Sequence, residues 1–283
     1  MHEPQLENSQ NKQDVEQTIE YAGKQTAPSL LHQTLHRIWP EQLEDDDLEL
    51  LDVSLYHLFH NLNLLIQEIL PQLAEISAQA EAAQPMQDIR SKQIQQHHVW
   101  IWLSEMRHRL ERIEPLCQIV TITISYLLIA IDTNKPATLQ KSHQQILYTR
   151  ARQCEQQLPR ALTTDEHTYY VQGLQIWQDL TAEPHKLQAF SHLFSDLSDG
   201  QSYLTQMDSA LVEIYRSAQT IFSSILRTCH TTALPAPTTL LLLLDLQQHA
   251  DILQQHIDTF LTPLHALLKR YAPSSSYDRV PGQ

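Results

Sequence analysis

Between Val99 and Ile131 the large apolar side chains return at alternating steps of four and three: Val99, Leu103, Met106, Leu110, Ile113, Cys117, Val120, Ile124, Leu127, Ile131. That rhythm draws a stripe down one side of an α-helix, whereas a strand would bury every second residue. The segment IVTITIS, Ile119 to Ser125, puts this to the test, because its β-branched residues favour a strand locally. The stripe nevertheless enters and leaves that segment in phase, and a strand would match it only by accident. The spacing therefore predicts one helix from about Met86 to Asp132, roughly 70 Å long at 1.5 Å per residue. Pro115 falls off the stripe, where a bend is tolerable.

The same heptad recurs elsewhere. Leu48, Leu51, Leu55, Leu58, Leu62, Leu65 and Ile69 hold it until Pro71. The stripe resumes one residue out of phase at Leu73, Ile76 and Ala80, as a kinked helix would. Leu204, Met207, Leu211, Ile214, Ala218, Ile221 and Ile225 carry another seam, and Leu246, Ala250, Leu253, Ile257, Phe260, Leu264, Leu267 and Tyr271 a fourth. Rods of this kind bury their seams only against one another. The expected fold class is all-α: an elongated antiparallel bundle of about six to seven helices, several of them long.

Local signals place the boundaries. A short helix is expected around Leu30 to Trp39, stopped by Pro40, and the acidic run EQLEDDD (Glu41 to Asp47) suits the start of the next. Thr133, Asn134 and Pro136 read as a helix start, with Asn134 or Lys135 near the cap and the helix running to about Leu158. Thr163 and Thr164 then cap a helix carrying Val171, Leu174, Trp177 and Leu180, and Glu183 to Leu197 is a shorter one with Leu187, Phe190, Phe194 and Leu197 on one face. SDLSDGQS, ending at Ser202, is a turn and candidate boundary, and LPAP (Leu234 to Pro237) breaks the following helix. The organisation expected is a disordered polar tail at 1–27, the first part of the bundle at 28–197, a C-terminal helical hairpin packing on it at 198–271, and a loose tail at 272–283. A chain of 283 residues accommodates these as one domain or as two.

Composition narrows the partners. Only 4 glycines are present, which suits helices joined by short links. A formal net charge of −14 repels phosphate backbones and acidic lipid leaflets, so nucleic acid is not expected as a partner, and proteins with neutral or basic patches are. The 16 histidines should raise that charge noticeably between pH 7 and pH 5. Cys117, Cys154 and Cys229 form no metal-spaced cluster and read as reduced, mostly buried thiols of a cytoplasmic protein, and the polar N-terminus lacks a signal-peptide core. Leu116 to Ile131 is apolar but shorter than the ~20 residues a bilayer crossing needs, and Glu114 and Asp132 flank it. It reads as buried core, with no membrane span.

Two constellations carry possible metal chemistry. Asp45, Asp46, Asp47 and Glu49 resemble, superficially, the aspartate-rich magnesium motif of all-helical isoprenoid synthases, in which carboxylates on one face would hold Mg²⁺ against a diphosphate. That chemistry needs a second such motif and nearby cations, and neither is found. Glu105 and His108 make one Glu-x-x-His step of the type used in di-iron bundles, which need two. His32 with His36, His57 with His60, and His249 with His256 sit at helical spacings that could grip zinc, although many histidines on helices produce such pairs by chance. Arg90, Lys92, Arg107, Arg109 and Arg112 form a basic stretch that suits pairing between helices, or alternatively an acidic partner. Tyr169, Tyr170 and Trp177 could anchor a partner helix or lie in the core. With no catalytic motif and no cofactor implied, the sequence points to a non-catalytic adaptor or subunit of a protein assembly that binds through long helix faces. A metal-dependent helical enzyme, or a binder of small apolar ligands, is the alternative.

Overall fold

The computed structural model describes residues 28–83, 89–135, 139–154, 166–182, 187–194, 199–230 and 234–272. The expected tail at 1–27, the Thr163 and Thr164 cap, Pro159 and Leu197 lie outside them. All regular secondary structure among the described residues is helical, with no strand among them. In chain order they are α1 (Leu30–Ile38), α2 (Asp45–Leu64), a π-helical turn (Leu65–Ile69), α3 (Leu70–Ala83), α4 (Ile89–Thr133), α5 (Lys141–Gln153), α6 (Glu166–Ala182), a 3-10 segment (Gln188–Phe194), α7 (Gly200–His230) and α8 (Ala236–Tyr271).

The predicted rod is present as α4, with IVTITIS inside it and Pro115 within the helix. Every seam residue from Val99 to Leu127 is buried, and Ile131 is half-buried at the end. The seams of α7 and α8 are likewise buried, with Tyr271 half-buried. α4 packs against α2, α3, α5 and α8, and α8 packs equally against α7. One helix, α4 over Lys92–Thr133, is long and apolar enough to cross a membrane by length and composition. In the bundle its apolar stretch supplies core: Leu116, Cys117, Ile119, Val120, Ile124, Leu127 and Ala130 are all buried.

The one-residue slip at Pro71 has a structural cause. Proline has no N–H to give to the carbonyl four residues back, and its ring collides with that carbonyl. The helix widens into a π turn over Leu65–Ile69, which absorbs one residue, and Leu73 is buried beyond it.

Three boundaries differ from expectation. Asn134 does not open a helix. Its φ of +50° is left-handed, a conformation asparagine tolerates just past a helix C-terminus, and it closes α4 at Thr133. The next helix begins at Lys141 after Gln140, and its described part runs to Gln153 with Cys154 as C-cap; the expected end near Leu158 lies outside the described residues. The segment at 188–194 is 3-10 and not α, with a kink at Phe190, and the buried Asp208 of α7 accepts the backbone N–H groups of Leu187 (2.8 Å) and Gln188 (3.0 Å) at its start. On α6, Val171 is 43% exposed instead of lying on the buried stripe. Tyr170, Leu174 and Trp177 take that face because α6 is drawn onto α2 at Gly173.

That approach is close. A Cβ on Gly173 would overlap Cζ of Phe59 and stand 2.9 Å from the amide of Asn63. Phe59 has no room to yield, being ringed by Tyr170, Trp177 and Phe222 with centroids 4.5, 4.8 and 4.6 Å away. Tyr170 and Trp177 are thus core and not partner anchors, and Tyr169 is half-buried beside them. Helix propensity alone would favour Gly173→Ala by about 1 kcal/mol. The overlap reverses that sign, so denaturant unfolding should show a net loss of about 1–3 kcal/mol, and an unchanged or raised midpoint would refute the close approach.

Candidate interaction surface

The acidic run at the start of α2 is pulled apart by the fold. Asp47 is buried, and its Oδ1 accepts a hydrogen bond from Gln144 Nε2 of α5 at 2.7 Å, while burial raises its carboxyl above the ordinary range. Asp46 is exposed, with its backbone carbonyl accepting from the Tyr148 hydroxyl at 2.9 Å. Glu49 is half-buried on α2. Asp45 faces α1, where His32 and His36 lie 3.6 and 3.4 Å from its Oδ1. On α4, Glu105 Oε1 accepts from Arg109 Nε at 3.2 Å, whereas His108 is exposed. Among the described residues no group of three or more His, Cys, Asp or Glu side chains could hold a metal ion.

Two members of the basic stretch of α4 are paired within the molecule. Arg109 is buried and ion-paired to Glu68 of the π turn at 3.1 Å and to Glu105, and Arg107 pairs with Glu111. The described thiols are equally enclosed: burial pushes Cys154 up to about 11, and it raises Cys117 further still. Neither is a nucleophile at neutral pH.

A polar cluster interrupts the core where α2 meets α5 and α6. Asn61 Nδ2 donates to the carbonyls of His57 (2.8 Å) and Cys154 (3.4 Å), tying α2 to the end of α5. His60 Nδ1 lies 2.8 Å from the Tyr169 hydroxyl. Burial, followed by the charges of His57 and Arg109, pushes His60 down to about 4. Its imidazole is therefore neutral in the folded protein at pH 7.

The surface, by contrast, carries an unexpected second pattern. Ile94, Ile101, Ile122 and Ile129 are exposed by 50, 47, 39 and 56%, at multiples of seven along α4 on the side away from its seam. Leu241 and Leu244 of α8 are exposed by 61 and 45%. Two hydrogen bonds fix the antiparallel register of these helices: Thr121 Oγ1 to Asp251 Oδ1 at 2.9 Å and Gln247 Nε2 to Ser125 Oγ at 2.6 Å. Ile122 and Ile129 stand one turn either side of Ser125, and Leu244 and Leu241 lie one and two turns before Gln247. The four side chains consequently share one end and one outer face of the α4–α8 pair.

Charge on this face has a single sign. No Lys or Arg occurs from Ile113 to Asn134 or from Leu234 to Leu268, where Glu114, Asp132, Asp245, Asp251 and Asp258 are found. Burial, then the charges of Asp258 on α8 and Glu111 on α4 itself, raise the Glu114 carboxyl. At the opposite end of α4, Ile101 lines a shallow groove with Ile76, Gln79, His98 and Trp102.

The outward pattern was not among the sequence expectations, although two signals bear on it. The run Leu240 to Leu244 holds five successive leucines, and a single seam can bury only some of them. The isoleucines repeat at seven while missing the seam. The chain matches no protein-family model, no curated protein and no solved structure.

His60 supplies a pH test. With a folded value of about 4 against 6.5 for the free side chain, the unfolded chain takes up the proton first as pH falls. Stability is full above pH 6.5 and declines toward pH 4, by about 1–2 kcal/mol after allowance for partial exposure. Urea unfolding at several pH values should show this decline, with a shallower one in His60→Gln. Equal slopes for the two proteins would remove His60 as its source.

Proposed function

We propose that the protein is a non-catalytic helical adaptor, or a subunit of a larger protein assembly, that holds a partner on the outer face of α4 and α8. The observation that carries this reading is the patch of Ile122, Ile129, Leu241 and Leu244 on two helices whose neighbouring charges are all acidic. Each large aliphatic side chain is worth about 1.5–3 kcal/mol on full burial. Four half-exposed ones therefore offer several kcal/mol to a ligand that covers them. A helix with one apolar face laid along the antiparallel pair would complete a three-helix contact. The acids select for Lys and Arg on the flanks of that helix. Enclosed thiols at Cys117 and Cys154 support a reducing, cytoplasmic setting.

The test uses the full chain as bait in extract from its native source, followed by identification of any stoichiometric partner. Its captured segment should be an amphipathic basic helix, and the complex should weaken as salt rises. In the double variant Ile129→Glu, Leu241→Glu, affinity should fall at least about tenfold, with circular dichroism unchanged because both side chains are exposed. A partner held equally well by the double variant, or no partner at all, would overturn the proposal.

A further inference from the structure

Packing of α1 on α2 creates a second feature, separate from the α4–α8 face. A helix of 9 residues is marginal alone. α1 lies on α2 and α7 with Leu31, Thr34 and Leu35 buried, and it keeps its place through that packing and through polar contacts along one edge.

The polar edge pairs two histidines of α1 with two carboxylates of α2. His32 Nδ1 lies 3.4 Å from Asp52 Oδ2, and the Nε2 atoms of His32 and His36 lie 3.6 and 3.4 Å from Oδ1 of Asp45. Asp52 also accepts the Ser29 backbone N–H at 3.0 Å and the Ser29 hydroxyl. That same hydroxyl oxygen accepts the His32 backbone N–H at 3.0 Å and so caps α1. Helix cap and ion pair therefore converge on one carboxylate. His32 and Asp52 are 13 and 18% exposed, so their charges are only partly screened by water.

Charge is sorted across this contact. His32, His36 and Arg37 stand on α1, and Asp45 and Asp52 of α2 meet the two histidines. The other acids of that turn lie elsewhere: Asp47 holds Gln144, and Asp46 and Glu49 act on Tyr148 of α5. The groups that raise His32 are Asp52 and Asp45, and the charged side chains of α7, Asp208, Glu213, Arg216 and Arg227, are not among them. The hydrogen bond to Asp52, with the charges of both aspartates, outweighs burial and lifts the imidazole above its ordinary 6.5. A proton held more tightly with α1 docked stabilises the docked form in full below pH 6.5, and that contribution is lost as pH rises through the folded value.

We propose that α1 is a pH-sensitive latch: protonated His32, with His36 beside it, clasps Asp52 and Asp45 and holds α1 on the bundle, and loss of the proton in mildly alkaline solution lets α1 lift about the loop that contains Pro40. Lifting would uncover the apolar surface of α2 and α7 beneath Leu31 and Leu35. His60 titrates with the opposite sign and at lower pH, so above pH 6.5 its contribution to the core is constant while the latch weakens.

The experiment is hydrogen exchange of the full chain between pH 6 and pH 8.5, read as protection factors so that base catalysis of exchange cancels. Protection of the α1 amides, Gln33 to Trp39, should fall about three- to tenfold over this range, since one unit of raised pKa is worth tenfold in the docking equilibrium. Amides of α8 should stay level. In His32→Gln and in Asp52→Asn, α1 should be less protected at pH 6 and its profile flat. Asp45→Asn, at a position 73% exposed and harmless to the fold, should show a smaller loss in the same direction. Followed by NMR, the His32 ring should titrate above 6.5 in the native chain and at lower pH in Asp52→Asn. Protection of α1 that is unchanged with pH, or that changes equally in His32→Gln, would overturn the latch, as would a His32 ring titrating at or below 6.5.

Discussion

The architecture depends on one shared surface, the buried side of α4. Its seam is covered by α8 along one flank and by α2, α3 and α5 along others, so a single helix supplies core to most of the molecule. Helices of ordinary propensity are marginal alone, and their stability comes from packing an apolar side against neighbours. IVTITIS shows how far this goes. Its β-branched residues are placed in a helix because only that geometry puts Val120 and Ile124 on the common seam with Cys117 and Leu127, and burial outweighs a preference worth tenths of a kcal/mol per residue.

Enclosure of α2 has a second consequence. Asp47, Ser54, His57, Asn61 and Asn63 are buried along with its leucines, because the helix has neighbours on nearly every side. Buried polar groups demand partners, and two of them supply directional links, Asp47 to Gln144 and Asn61 to the end of α5, alongside the half-buried His60 to Tyr169. Leucines can slide past one another with little loss, whereas a misplaced amide cannot. These contacts therefore fix which helix lies where, in a bundle whose apolar seams are chemically alike. Gly173 acts with them by setting how near α6 comes.

What was legible in the sequence is whatever repeats. Seam residues on four helices, the slip at Pro71 and the core role of the seam positions within Leu116 to Ile131 all follow from periodicity, whereas Ile122 and Ile129 of that stretch face outward. Single-residue features did not read so well. Asn134 serves equally as a helix start or a helix stop until its φ is known, and the segment at 188–194 is capped by a carboxylate from α7. The acidic run illustrates the limit most clearly, since its members face different helices and Asp45 meets two histidines on α1. No spacing within a linear chain announces a contact between elements that fold together. The outward isoleucines of α4 and the leucine run of α8 were written in the sequence, but their union into one patch required the antiparallel register.

The central claim is that α4 is one continuous rod through IVTITIS and past Pro115. Spin labels at Lys92 and Asp132, both exposed, with the native cysteines replaced by alanine, measure it directly by pulsed dipolar spectroscopy. A rise of 1.5 Å per residue puts the two backbone positions about 60 Å apart, so the account predicts a single narrow distribution near that distance. A broad distribution, or one centred far shorter because the chain turns back as a strand after Pro115, would contradict it.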